Sequence, residues 1–150
     1  MGITIAVFRV WRGNYSLKAA DLKAMSQQEA VAIYRAEYWN AIHADELLPG
    51  IDHMGFDMAV NAGVRRSAMM LQRAANMPTQ DIDGVIGPRS LRALAVSAPP
   101  KAIIEAVRQF HEHHYRSLRT FSTFGRGWLS RLERRYALSI ELLNESGSAI

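Results

Sequence analysis

The sequence predicts an all-α domain. Apolar residues recur at three- and four-residue spacing through nearly the whole chain, and no paired alternating runs signal a sheet. Gly- and Pro-containing steps punctuate the periodic runs. With 150 residues, 49% hydrophobic and 21% charged, the chain is long enough to bury a core without covalent staples. That composition excludes a wholly disordered or fibrous protein. The longest stretches free of Asp, Glu, Lys and Arg, 1–8 and 93–100, fall far short of the about 20 apolar residues a membrane span needs. There is no cysteine, so disulfides, thiolate catalysis and Cys-ligated metals are excluded.

The elements follow in order. Ile3, Val7, Val10 and Trp11 are expected on one face of a short helix ended by Gly13 and Asn14. Ser26 to Glu29 is a capping box, in which Ser26 accepts from the Glu29 amide and the Glu29 side chain reaches back. The helix it opens turns Ala30, Ile33, Tyr34 and Tyr38 inward. Leu48-Pro49-Gly50 marks a turn or a helix start. Residues 51–62 form a helix stopped by Gly63, and 64–75 a second with Ala68, Leu71 and Ala75 inward. Residues 76–88 read as a loop with Ile82, Val85 and Ile86 packed beneath it. Residues 90–96 form a short helix with Pro88 near its first turn. Pro99-Pro100 is a corner, and the helices after it, about 103–118 and 128–143, pack back on the first half. Residues 120–127 read as a loop, and 144–150 as a frayed end.

Several constellations have functional readings beside structural ones. Asp81 to Pro88 is a tight Gly-dependent loop. Its Asp-x-Asp-Gly resembles a calcium loop, but the oxygen-ligand run stops and no Glu stands at the twelfth position. His111, His113 and His114 around Glu112 lack the two-His zinc spacing and a third ligand, and read as a solvated helix face, so no metal or cofactor is expected. Phe124 to Trp128 is either a helix entry stapled by aromatics or a wall for a sugar or partner. Tyr34, Tyr38 and Trp39 cluster at a helix end, as a sugar platform or as core. Asp57 and Asn61, one turn apart, are a polar seam or cleft wall, or make buried helix-to-loop hydrogen bonds.

Formal charge is +4, and fifteen of the eighteen basic residues are Arg, which suits carboxylate or phosphate partners. Nucleic acid has no recognition motif in its favour. The two basic residues near the start follow the first apolar run instead of preceding it, so a secretory signal is not expected.

Gly2-Ile3-Thr4-Ile5 with Trp11-Arg12-Gly13, Ala32 to Arg35, Tyr38-Trp39 and Phe56 to Gly63 resemble the pattern of glycoside hydrolase family 108. Leu71 to Ala74, Asp83 to Pro88 and Phe124 to Leu129 resemble the peptidoglycan-binding half that accompanies it. The resemblance implies a lysozyme-like helical fold and an N-acetylmuramidase, of endolysin or secretion-associated type, directed at peptidoglycan glycan strands. It implies substrate contacts at Thr4, Tyr38, Trp39, Asp57 and Asn61. Residues 1–63 are then a remnant of the catalytic region, and 64–150 a peptidoglycan-binding-like region packed on it as one globular unit.

The family's catalytic glutamate lies in a Glu-Gly-Gly segment upstream of Gly-Ile-Thr, which here begins at position 2. No catalytic residue is carried over, because Glu37, Asp45, Glu46 and Asp52 match no catalytic position. The expectation is a domain truncated at its N-terminus relative to the family, inactive alone, with an uncovered apolar face through which it self-associates. It would be made in the cytoplasm of a bacterium or phage-infected cell and act at the periplasm or cell wall once delivered. A non-enzymatic basic component of a phage or secretion system is the alternative.

Overall fold

A computed structural model describes residues 2–147. Eight α-helices make up the described chain: α1 (Ile5–Arg12), α2 (Ala19–Lys23), α3 (Gln27–Tyr34), α4 (Ile51–Ala62), α5 (Val64–Ala74), α6 (Pro88–Val96), α7 (Pro100–Ser117) and α8 (Phe121–Gly147). Between α3 and α4 the chain passes through a π-helical turn, Arg35–Trp39, and two 3-10 turns, Asn40–Ile42 and Ala44–Glu46. No strand occurs among the described residues, and none of their helices is long and apolar enough to cross a membrane.

The core is organised around α4. Ile51, Met54 and Met58 on its inner face are fully buried with Leu71 of α5, Ile103, Ile104 and Val107 of α7, and Leu132 of α8. The helices after the Pro99-Pro100 corner do pack back on the first half, since α4 contacts α5, α7 and α8. Gly50, at φ 90°, makes the closest approach possible. A Cβ there would run into the Ser139 carbonyl of α8 and come 2.8 Å from the Ile104 side chain of α7, so the start of α4 abuts both later helices.

Four expectations about elements need correction. The residue α1 buries is Phe8, at 1% exposure, while Val10 and Trp11 face outward at 61% and 39%. Ile3 precedes the Thr4 cap and so carries no helical phase. Ser26 accepts from the Glu29 amide at 3.1 Å, but the Glu29 carboxylate grips the Arg12 guanidinium at 2.6 and 2.7 Å, tying α1 to α3. Residues 121–127 are the first two turns of α8, not a loop, and the helix runs on to Gly147; 148–150, the rest of the expected frayed end, lie outside the described residues. Gly125 is tolerated inside α8 because the ring of Phe121 sits where its side chain would be, 2.6 Å from an added Cβ. Trp128 then stacks on Tyr115 of α7 at 5.3 Å, and such tertiary contacts override the weak helix propensity of two glycines.

Of the three apolar residues expected beneath the 81–88 loop only Ile86 is fully buried, and Val85 is 65% exposed. The organiser is buried Gln72 of α5. Its amide nitrogen donates to Asp83 Oδ1 at 2.8 Å, the Val85 carbonyl at 3.0 Å and Ser90 Oγ at 3.1 Å, and its oxygen accepts from the Gly84 amide at 3.0 Å. Every polar group of Gln72 is used within the fold, which favours the structural reading of this loop.

Candidate functional site

The outward face of α4 presents His53, Phe56, Asp57, Val60 and Asn61, spaced three and four residues apart. Three hollows run along it. The first, about 280 Å³, lies between Val31, Tyr34, Trp39 and Phe56. The second, about 220 Å³, shares Tyr34 and Phe56 and is closed by His53, Asp57, Arg131 and Arg135. The third, about 400 Å³, shares Arg131 and is lined by Asn61, Arg66, His114, Tyr115 and Trp128. The three adjoin through these shared residues, and together they are referred to as the groove, aromatic toward both ends and charged in the middle. A separate hollow of about 570 Å³ at Met69, Arg73, Asn76 and Met77 carries neither an aromatic ring nor a carboxylate.

The π-helical turn sets the aromatic end. Its widened backbone carries Trp39 against Phe56, with ring centroids 5.5 Å apart and planes at 65°. The indole N–H donates to Asp45 Oδ1 at 2.8 Å, and Asp45 Oδ2 accepts from Arg35 at 2.7 Å. The N–H is therefore committed, and what Trp39 offers a ligand is its ring. Tyr38 packs beside Tyr34 at 5.8 Å, and its hydroxyl is held toward the neutral form by burial.

At the centre, Asp57 is 6% exposed. Arg131 holds it with both terminal nitrogens, Nη1 at 3.1 Å from Oδ2 and Nη2 in a short contact to Oδ1, and Nη1 also donates to the Tyr115 hydroxyl at 3.4 Å. Arg135 Nε stands 3.7 Å from Asp57 Oδ1. Asn61 Nδ2 donates to the Asp57 backbone carbonyl at 2.7 Å, so the two side chains share a turn without pairing directly.

His53 bonds Ser139 Oγ through Nδ1 at 2.7 Å. Because that hydroxyl spends its proton on the Arg135 carbonyl, His53 Nδ1 is the donor. Burial holds His53 neutral. Behind the carboxylate lies His111, which the sequence reading placed on a solvated face. Its side chain is fully buried, neither ring nitrogen has a partner, and Nδ1 is 4.0 Å from Asp57 Oδ2. Burial pushes its pKa down to about 4, against the opposing pull of Asp57. Only His113 of the trio is exposed. No three His, Asp or Glu side chains converge on a metal-sized site among the described residues.

Of the five residues singled out from sequence, Trp39, Asp57 and Asn61 line the groove. Tyr38 lies behind its wall. Thr4 lines none of the hollows; it caps α1, accepting from the Val7 amide at 3.3 Å, two residues after Gly2 passes the Tyr34 hydroxyl. Sequence reasoning missed Arg131, Arg135, Arg66 and His53. One signal marks the first two: they fall at inward positions of the α8 stripe that includes Trp128, Leu132 and Ser139.

Among the described residues, Asp57 is the carboxylate on the groove floor, and Arg131 engages both of its oxygens. Asp52, raised by burial, is held at the start of α4 by the Gly50 and His53 amides at 2.8 and 2.6 Å. Such an arrangement binds and orients; it presents no free carboxylic acid aimed into the groove.

Among the described residues the fold is thus all-helical, with an aromatic and arginine-lined groove over α4. The glycosyl hydrolase 108 family pattern matches residues 1–63. The solved structure of Brucella abortus SagA matches with a TM-score of 0.87 at 35% identity, covering 95% of this chain and 79% of that one. No curated protein matches. The chain belongs to glycosyl hydrolase family 108. All five sequence-derived candidates lie inside the family-matched segment, whereas the arginine wall of α8 lies outside it.

Proposed function

We propose that this chain is a peptidoglycan-directed muramidase-family domain that holds a glycan strand in the groove over α4, and that its 150 residues bind more than they hydrolyse. The carrying observation is the row of adjoining hollows along α4, with aromatic rings at both ends and Asn61 facing it. Trp39 covers a sugar face, Asn61 offers amide hydrogen bonds, and Asp57 holds the arginine wall in place. Thr4 and Tyr38 enter through the family resemblance, Tyr38 as support behind Tyr34. Residues 1–63 supply the floor and aromatic wall, and 64–150 the opposing wall.

The low hydrolytic capacity follows from chemistry. Glycoside cleavage needs a carboxylic acid to protonate the leaving oxygen, and Asp57 has neither oxygen free for that proton. Action at the periplasm or cell wall fits this substrate.

Co-sedimentation with purified sacculi tests the binding, and turbidity loss of outer-membrane-permeabilised cells tests the hydrolysis. The expected outcome is retention on sacculi with little clearing. A chain left in the supernatant would overturn the binding, and clearing at an endolysin's rate would overturn the inactivity.

A further inference from the structure

The middle of the groove holds more positive charge than its carboxylate uses. Arg131 already pairs with Asp57 in a two-pronged contact. Arg135 still leans over the same carboxylate, its Nε 3.7 Å away and beyond hydrogen-bonding distance, with its side chain 44% exposed. Its terminal nitrogens make no hydrogen bond among the described residues. Arg66, in the adjoining hollow beside His114, makes neither a hydrogen bond nor an ion pair there.

Three guanidiniums thus border a groove floor with one carboxylate, already engaged. The two histidines between them do not add to the charge. Burial holds His53 and His114 toward neutrality, and the neighbouring arginines reinforce it: Arg135 and Arg131 at His53, Arg66 at His114. A guanidinium with unused donors at the edge of a hollow favours an anion there, and its planar fork matches a carboxylate. The flanking rings, Trp39 and Phe56 on one side and Trp128 and Tyr115 on the other, suit the faces of sugars.

We infer that Arg135 and Arg66, in the two hollows that share Arg131, each read a carboxylate, so that the groove selects a glycan bearing carboxylates over a neutral polysaccharide. This rests on the reading of the groove as a glycan site. In intact peptidoglycan the free carboxylates are those of the stem-peptide amino acids, because the lactyl carboxyl is tied up in the amide that joins the peptide to the sugar; the lactyl carboxylate is free only on strands without peptide. Arg131 is the wrong residue to probe, because removing it strands buried Asp57 without its partner. Arg135 and Arg66 can be changed without that cost.

The test measures retention on intact sacculi, on sacculi whose carboxylates have been converted to neutral amides by carbodiimide and ethanolamine, and on chitin. The intact chain is expected to bind intact sacculi at least about fivefold more tightly than the blocked ones or chitin. Arg135→Gln and Arg66→Gln should each weaken binding to intact sacculi and leave binding to blocked sacculi unchanged, with unaltered melting. Lys101→Gln, an exposed charge that lines no part of the groove, should change nothing. Stripping the peptide with an amidase removes the stem-peptide carboxylates and, by hydrolysing the joining amide, frees the lactyl one: loss of retention assigns the subsite to the stem-peptide carboxylates, and full retention shows that it also accepts the lactyl one. Equal binding to intact and blocked sacculi overturns the subsite while leaving the glycan reading standing. A Lys101→Gln defect as large as that of Arg135→Gln also overturns it, since the attraction would then be diffuse charge. Binding to none of the three materials overturns both.

Discussion

At the scale of single residues, His111 makes a pH-dependent contribution whose sign is fixed by its burial. The ordinary value of 6.5 applies when the chain is unfolded, and about 4 in the fold. Between those values the unfolded chain carries the extra proton, so stability falls as pH drops through this window. The loss from pH 7 to pH 4 is about 3 kcal/mol. Urea unfolding across that range should show the slope in the wild type and a flatter one in His111→Met, which also removes two unsatisfied nitrogens. An unchanged slope in the variant would assign the effect to other groups. Trp39 poses a second residue-scale question. Its ring packs on Phe56 yet borders an open hollow. Trp39→Ala should therefore cost less than the about 3–5 kcal/mol of a fully buried aromatic, and should weaken sacculus retention at least about fivefold. A large melting shift with unchanged retention by the folded fraction would end the platform role. The polar pair Asp57 and Asn61 is legible from spacing alone. That Arg131 is the partner of Asp57 is not, because it stands 74 positions away, even though its place on the α8 stripe is readable. Burial of His111 is obscured for a related reason: the residues that follow it, Glu112, His113 and His114, are all polar, and it is the packing of α4, α5 and α8 on α7 that covers the inner face of that helix.

At the scale of elements, the bounds of α4 and the start of α5 are legible because Gly50 and Gly63 punctuate strong periodicity. The turn at 35–39 is not, since its five-residue hydrogen-bonding step has no counterpart in a search for 3.6-residue spacing. The start of α8 misleads for another reason. Two glycines read locally as a loop, but the helix is held by Trp128 on Tyr115 and by Phe121 folded over Gly125. The two glycines should then respond differently to alanine. Nothing lies within 4 Å of a Cβ at Gly127, so Gly127→Ala should stabilise by about 0.5–1 kcal/mol through reduced freedom of the unfolded chain. Gly125→Ala must displace the Phe121 ring, which also sits under the Arg116 guanidinium, and should gain nothing or lose. Thermal melting of the two variants side by side checks the contrast; an equal gain in both would show that the Phe121 seat is not a constraint.

At the scale of the molecule, the all-α fold is legible from periodicity, whereas the assembly of one groove from both ends of the chain is not. Val10, Trp11 and Tyr15 near the N-terminus leave apolar surface in water, at 61%, 39% and 73% exposure. We expect concentration-dependent self-association through this region. Sedimentation velocity over a range of concentrations should show it, and Trp11→Ser with Tyr15→Ser should abolish it. A wild type that is monomeric at every concentration would count against it. The groove's construction also has a temporal side. Its aromatic wall is encoded at residues 31–39 and its arginine wall at 131–135. A ribosome working from the N-terminus delivers the floor and first wall long before the second. While α8 is unmade or still inside the exit tunnel, Asp57 has no arginine, Ser139 is not yet there for His53, and Gly50 has no α8 to meet. Through most of its synthesis the chain therefore has the floor and first wall of the groove without the second, and the groove closes only once α8 has docked.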